Sequence, residues 1–163
     1  MANKKITDLT ELTAAASNDY LEIVDTSANT SKKISRENLT GWHFLTSPLT
    51  STAWDGDSFS TTAKTKIDLS VVFGVPAGVK AVLVRLAARD SASYANAGLY
   101  ISLSPTDAAG GAAILRPAGI VNDVYTDGMF IVPCDANGDV YYQIAASGTG
   151  TLDAIIEIWG YWL

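Results

Sequence analysis

The chain ends on an apolar strand, and that ending constrains the fold more than any other stretch. Residues Ala154 to Leu163 read Ala-Ile-Ile-Glu-Ile-Trp-Gly-Tyr-Trp-Leu. At strand periodicity Ala154, Ile156, Ile158, Gly160 and Trp162 share one face. Ile155, Trp159, Tyr161 and Leu163 share the other, interrupted only by Glu157. Chain ends are ordinarily polar and frayed. An end apolar on both sides predicts a strand covered on both faces, the second face by a neighbouring subunit or by the chain's own N-terminal unit. Ile156, Ile158, Trp159, Tyr161 and Trp162 are therefore expected to form a core or an oligomer interface.

The same alternation recurs from Trp42 onward. Lys66 to Phe73 places Ile67, Leu69, Val71 and Phe73 on one side, and Lys80 to Ala88 turns Val82, Val84 and Leu86 inward and Arg85 outward. Leu99, Ile101 and Leu103 oppose Tyr100, Ser102 and Ser104. Val75-Pro76-Ala77-Gly78 reads as a turn and Pro105 to Ala112 as a loop. Ala113 to Arg116 and Ile120 to Tyr125 read as short strands. Asp127-Gly128 and Asn137-Gly138 carry the dipeptides of two-residue hairpins. Met129 to Cys134, Asp139 to Ala146 and Leu152 to Leu163 complete the set. Short strands with turn signals about every ten residues predict an all-β fold, an antiparallel β-sandwich of jelly-roll-like form over residues 42–163.

Residues 1–41 differ. Leu9 and Leu12, three apart and followed by Ala14-Ala15-Ala16, allow one or two helical turns. Tyr20 to Asp25 and Ser31 to Ser35 read as a hairpin across a Ser/Thr/Asn turn, and Ser35 is placed to cap a short helix from Arg36. A piece of about 40 residues with few large apolar side chains rarely folds alone. Its apolar residues Ile6, Leu9, Leu12, Leu21, Ile23, Ile34 and Leu39 are expected to anchor it on the rest of the chain, on sister copies or on another protein.

Composition narrows the chemistry. At 48% hydrophobic and 17% charged residues, the chain is too apolar for disorder. A net charge of -6 gives no footprint for nucleic acid, and no run approaches the length of a membrane span. Met1 to Lys5 leads into Ile6-Thr7-Asp8 without an apolar signal core, so the expectation is cytoplasmic synthesis without ordinary export. His43 is the single histidine and Cys134 the single cysteine, which excludes His-based triads, multi-His metal sites and intrachain disulfides. His43, between Trp42 and Phe44, suits packing, and Cys134 beside Pro133 reads as a small buried hydrophobe.

Asp135-Ala136-Asn137-Gly138-Asp139 spaces three oxygen donors at alternate positions as calcium loops do. In those loops, however, glycine stands sixth and a glutamate closes the site. Here Gly138 stands fourth and the next glutamate is Glu157, so a type I′ turn with Asn137 and Gly138 at positive φ is favoured over a metal site. No nucleotide, nucleophile-elbow or CxxC motif is present. The expectation is a protein that is not an enzyme and uses no metal and no cofactor. Among the strand aromatics, Tyr142 alternates with Val140 and Ile144 toward a core. Tyr141 faces out with Gln143, so Tyr141 and Tyr94 are the candidates for ligand contact, a glycan being the natural class.

The ordered pieces Lys5-Ile6-Thr7-Asp8-Leu9, Asp19-Tyr20-Leu21-Glu22-Ile23-Val24-Asp25 and Lys32-Lys33-Ile34 resemble a short module near the N-termini of bacteriophage tail-fibre and other virion proteins. Ile67-Asp68-Leu69 through Val82, with the ending Ile158-Trp159-Gly160-Tyr161-Trp162, is similar to C-terminal β-domains of phage structural proteins. The resemblance implies a virion subunit assembled in the host cytoplasm, a homo-oligomer (a trimer favoured) that contacts other virion proteins. Residues 1–41 would attach and the β-domain would meet the host surface or a neighbouring subunit. The repetitive shaft of a long fibre is missing, which points to a short tail fibre or spike. A capsid decoration or collar protein, or a glycan-binding module, is the alternative.

Overall fold

A computed structural model of the chain describes residues 20–25, 30–35, 41–54, 56, 63–92, 98–117 and 119–163, with the side chains of 20–25 and 30–35 left aside. Contacts divide the chain into two units, Met1–Gly41 and Trp42–Leu163. In the first, β1 (Tyr20–Asp25) and β2 (Thr30–Ser35) form an antiparallel hairpin with Leu21 opposite Ile34 and Ile23 opposite Lys32. Ile6, Leu9, Leu12, Leu39 and both expected helical segments lie outside the described residues.

The second unit is a β-sandwich. Its strands are β3 (Trp42–Leu49), β4 (Thr65–Ile67), β5 (Ala81–Asp90), β6 (Tyr100–Ser104), β7 (Ala113–Leu115), β8 (Thr126–Pro133), β9 (Val140–Ala145) and β10 (Leu152–Trp162). They form two antiparallel four-stranded sheets, ordered β3-β10-β5-β8 and β4-β9-β6-β7. The pairings are nested: β3 with β10, β4 with β9, β5 with β8, and β6 with β7. The second half of the unit thus retraces the first, which is the jelly-roll arrangement of two Greek keys.

The core lies between the sheets. Val82, Val84 and Leu86 of β5 and Ile158 of β10 meet Ile101, Leu103 and Ile144 from the other sheet, all at most 1% exposed. Each such side chain contributes about 1.5–3 kcal/mol by leaving water.

Five local expectations are corrected. Lys66 to Phe73 is not one strand. β4 ends at Ile67, and Asp68 caps a single-turn helix, α1 (Leu69–Phe73), its Oδ1 accepting from Ser70 N and Val71 N at 3.1 Å each. The helix buries Leu69 and Phe73 one turn apart, leaves Val71 79% exposed, and ends at Gly74 with φ 74. A cap of Asp and a left-handed Gly outweigh an alternation that fits either period.

Asp127-Gly128 is not a turn. Neither residue has positive φ, and both lie inside β8, opposite Ala87 and Leu86 of β5. There Asp127 meets Arg85, and Gly128 leaves room for the Phe130 ring. Ile120 to Tyr125 forms turns and no strand, with Asp123 at φ 61.

Asn137-Gly138 does sit in a turn, but only Gly138 has positive φ, so the turn is not type I′. Gly138 N donates to Asp135 O at 3.1 Å. A Cβ on Gly138 would stand 2.8 Å from Gly78 N, so the close approach of two loops fixes glycine there.

The fifth correction concerns the closing strand. A bulge between Ile158 and Gly160 shifts the register of β10 against both neighbours and reverses the parity of its last residues. Ile156 (5% exposed) and Ile158 (0%) face the core as expected. Tyr161, expected on the opposite face, lies against the core across from Val82 and stacks on His43 with ring centroids 5.1 Å apart. Trp162 points outward instead, 45% exposed. The strand is therefore buried on one face, and the other is only half-covered within a single chain.

Candidate functional site

The two sheets present outer faces of opposite character. On the first, cross-strand register builds two apolar rows that run the full width of the sheet. Ile131 of β8 stands opposite Leu83 of β5, Leu83 opposite Gly160 of β10, and Gly160 opposite Phe44 of β3. In the next row Pro133, Ala81, Trp162 and Trp42 follow in the same order. Trp42 stacks on Phe44 at 6.0 Å and touches Trp162 at 5.5 Å. Phe44 is 74% exposed and Ile131 59%. Met129, next on β8, is also exposed.

The other end of this face is a closed ion network. Arg85 Nε donates to Asp127 Oδ2 at 2.7 Å, and its terminal nitrogen donates to Glu157 Oε2 at 3.2 Å. These bonds, Asp127 first and then Glu157, hold the Arg85 guanidinium above its ordinary pKa. Trp159, on the bulge, donates its indole N–H to the same Glu157 oxygen at 3.2 Å. Arg89 Nε donates to Asp153 Oδ2 at 2.8 Å, and the Tyr125 hydroxyl donates to the same atom. Exposed pairs of this kind add about 0–1 kcal/mol each; their effect is to leave little open charge beside the apolar rows.

The second sheet's outer face is polar. Tyr141 is half-buried there, opposite Lys66 on one side and Ser104 on the other, as its expected outward position requires, while Tyr142 (6% exposed) is in the core. Gln143 lies opposite Ser102. The loop from Pro105 to Ala112 folds back over this face and is pinned by Lys64, whose ammonium donates to Ser104 Oγ at 2.7 Å, to Thr106 O at 3.5 Å and to Gly110 O. That roof is why Ser102 and Ser104 are only 3% and 4% exposed despite facing outward. A cleft of about 180 Å³ opens between Tyr100, Ser102, Arg116, Gln143 and the loop glycines. The Arg116 guanidinium sits 5.3 Å over the Tyr100 ring. Tyr94, the other expected ligand contact, lies outside the described residues.

The acidic turn is structurally committed. Asp135 Oδ1 accepts from Asn137 N at 2.8 Å and from Asp139 N at 2.9 Å. Asp139 is 5% exposed, paired with Lys66 Nζ at 2.8 Å and accepting from Leu69 N at 3.3 Å. It ties β4, α1 and the turn before β9 together. No group of three or more His, Cys, Asp or Glu side chains suited to a metal occurs among the described residues. Burial, reinforced by Asp135 and Asp139, pushes the Cys134 thiol up to about 12, so it is no nucleophile near neutral pH.

Apart from Trp162, sequence periodicity does not mark the members of the apolar rows. Their members come from four strands far apart in the chain, and their common face exists only once the nested pairing is known. No family model, no curated protein and no solved structure matches the chain.

Proposed function

We propose that the chain is a non-enzymatic structural subunit of a bacteriophage virion, a short tail-fibre or spike protein that attaches through residues 1–41 and exposes its jelly roll. The observation that carries this reading is the hairpin β1–β2, a two-stranded sheet in a unit of its own. An isolated two-stranded hairpin is marginal in water, so such an element is suited to completion by another surface. The ordered motifs around it resemble virion attachment modules. Jelly rolls recur in viral coat and lectin domains, an analogy of fold and not of site. The test is localisation. Antibody-gold against the jelly roll should decorate the tails of particles that carry the full chain, and a variant lacking residues 1–41 should fold yet be absent from particles. Decoration of the capsid shell instead would favour a cement protein; full-length protein found only free in the lysate would sink the reading.

A second role, compatible with the first, is favoured by the polar cleft on the outer face of the β4-β9-β6-β7 sheet. The Tyr100 ring beside an amide, a serine and an arginine, with the outward-facing Tyr141 further along the same sheet face, supplies the flat apolar surface and hydrogen-bonding groups that a sugar requires. On a glycan array, binding should be saturable and fall at least tenfold on Tyr100→Ala or Tyr141→Ala. Signal that neither substitution changes would place the contact elsewhere.

A further inference from the structure

We infer that the apolar end of the β3-β10-β5-β8 sheet is a docking surface for a second copy of this chain, the two copies meeting face to face about a two-fold axis. This inference stands on the jelly roll alone and does not need the virion assignment.

The argument begins with area. Side chains such as Phe, Trp, Ile and Met carry on the order of 150–250 Å² each. Phe44 is 74% exposed, Ile131 59%, Met129 52% and Trp162 45%. Together they leave roughly 500 Å² of apolar surface open on one copy. That is the upper range for the largest patch on a monomer, where such patches are commonly functional. With the half-buried Trp42, Leu83 and Trp159 around them, it approaches the ~600 Å² that one partner gives to a small stable interface.

Charge then selects the occupant. The ion network that borders the patch is internally matched, Arg85 against Asp127 and Glu157, and Arg89 against Asp153. A polyanion would need open cations there, and a sugar would need open donors. The Trp159 indole N–H and the Arg85 guanidinium both already donate to Glu157. A second copy brings the same neutral, apolar rows, so no like charges meet although each chain carries a net charge of -6. One continuous patch on a sheet face matches itself through a two-fold, the isologous arrangement. Two sheet faces pack at about 10 Å with their strands nearly aligned, which lets Phe44 and Ile131, at opposite margins of the sheet, reach the partner's rows.

Sedimentation velocity on the full chain, up to about 100 µM, tests this. Wild type should run at twice the 17.2 kDa chain mass. Phe44→Asp and Ile131→Asp should each weaken the pairing at least tenfold with far-UV circular dichroism unchanged, because both side chains already stand in solvent within one chain. Ile114→Asp, on the outer face of the other sheet and 42% exposed, should pair like wild type. Monomeric wild type at the highest concentration overturns the inference. So does an oligomer that survives both face substitutions, the result expected if copies join edge to edge through β3 or β8 or through residues 1–41. Equal weakening by Ile114→Asp would also overturn it.

Discussion

A chain ending at Ile158 should not hold the jelly roll together. Deleting Trp159 to Leu163 removes the pairs Gly160–Phe44, Tyr161–His43 and Trp162–Trp42, leaving β3 with Ile158–Leu49 as its registered pair. β3 is an edge strand, and among the described residues β10 is its only neighbour in the sheet. The same deletion strips Leu83, Val82 and Ala81 of their partners on β10 and removes the carbonyl of Trp162, which accepts from Lys80 N at 2.7 Å. Tyr161 leaves the core beside Val82, and the His43 ring loses the ring it stacks on. Burial of one large aromatic and several ladder bonds amounts to several kcal/mol, against a total stability of about 5–15 kcal/mol for a domain. The truncated chain should lose its near-UV circular dichroism and its cooperative thermal transition at 25 °C. Trp162→Ala, which keeps the backbone ladder, should cost about 1–2 kcal/mol. If the truncated protein melts within a few degrees of wild type, the strand's last turn of register is dispensable and the nested pairing does not depend on it.

Much of this architecture was legible in the sequence because the inner faces of β5, β6, β9 and of β10 up to Ile158 alternate cleanly. Val82, Val84 and Leu86, and likewise Val140, Tyr142 and Ile144, read correctly as core with no knowledge of their partners. What failed did so for identifiable reasons. Leu69, Val71 and Phe73 fit an alternation of two, but Leu69 and Phe73 also lie four apart, and the Asp68 cap decides for the helix. Asp127-Gly128 has hairpin chemistry, yet an eight-residue ladder with β5 holds it extended, a long-range constraint that no local window contains. The bulge in β10 moved Tyr161 and Trp162 to faces opposite those that strict alternation assigns. The exposed rows on the outer face depend on which strands are neighbours. Ile131 and Phe44, 87 positions apart in sequence (131 minus 44), share a face only because β8, β5, β10 and β3 lie in that order. The polar cleft has the same origin, since Lys64 pins the loop that walls it, more than 40 residues ahead in the chain.

The bulge also carries the most exacting single-site expectation. Gly160→Ala should destabilise the protein by about 2–3 kcal/mol, through crowding of backbone against backbone. A Cβ at this position would stand 2.8 Å from the carbonyl oxygen of His43 and 3.6 Å from its carbonyl carbon. The obstructing atom belongs to the main chain of the paired strand, so no rotamer change relieves it. Relief requires β3 to move away from β10, and no other strand among the described residues holds β3. The cost should therefore fall on β3 first. Amides across Trp42 to Leu49 should lose hydrogen-exchange protection before those of β5, while urea unfolding shows a lower midpoint at an unchanged slope. Gly128→Ala is the matched control. Its Cβ would meet the Phe130 ring at 3.0 Å, and a side chain can turn aside, so a cost below about 1.5 kcal/mol is expected. If the two substitutions cost the same, strand approach at Gly160 is not what fixes glycine there. The reversal of parity that sends Tyr161 inward and Trp162 outward would then have to rest on the packing of those two rings alone.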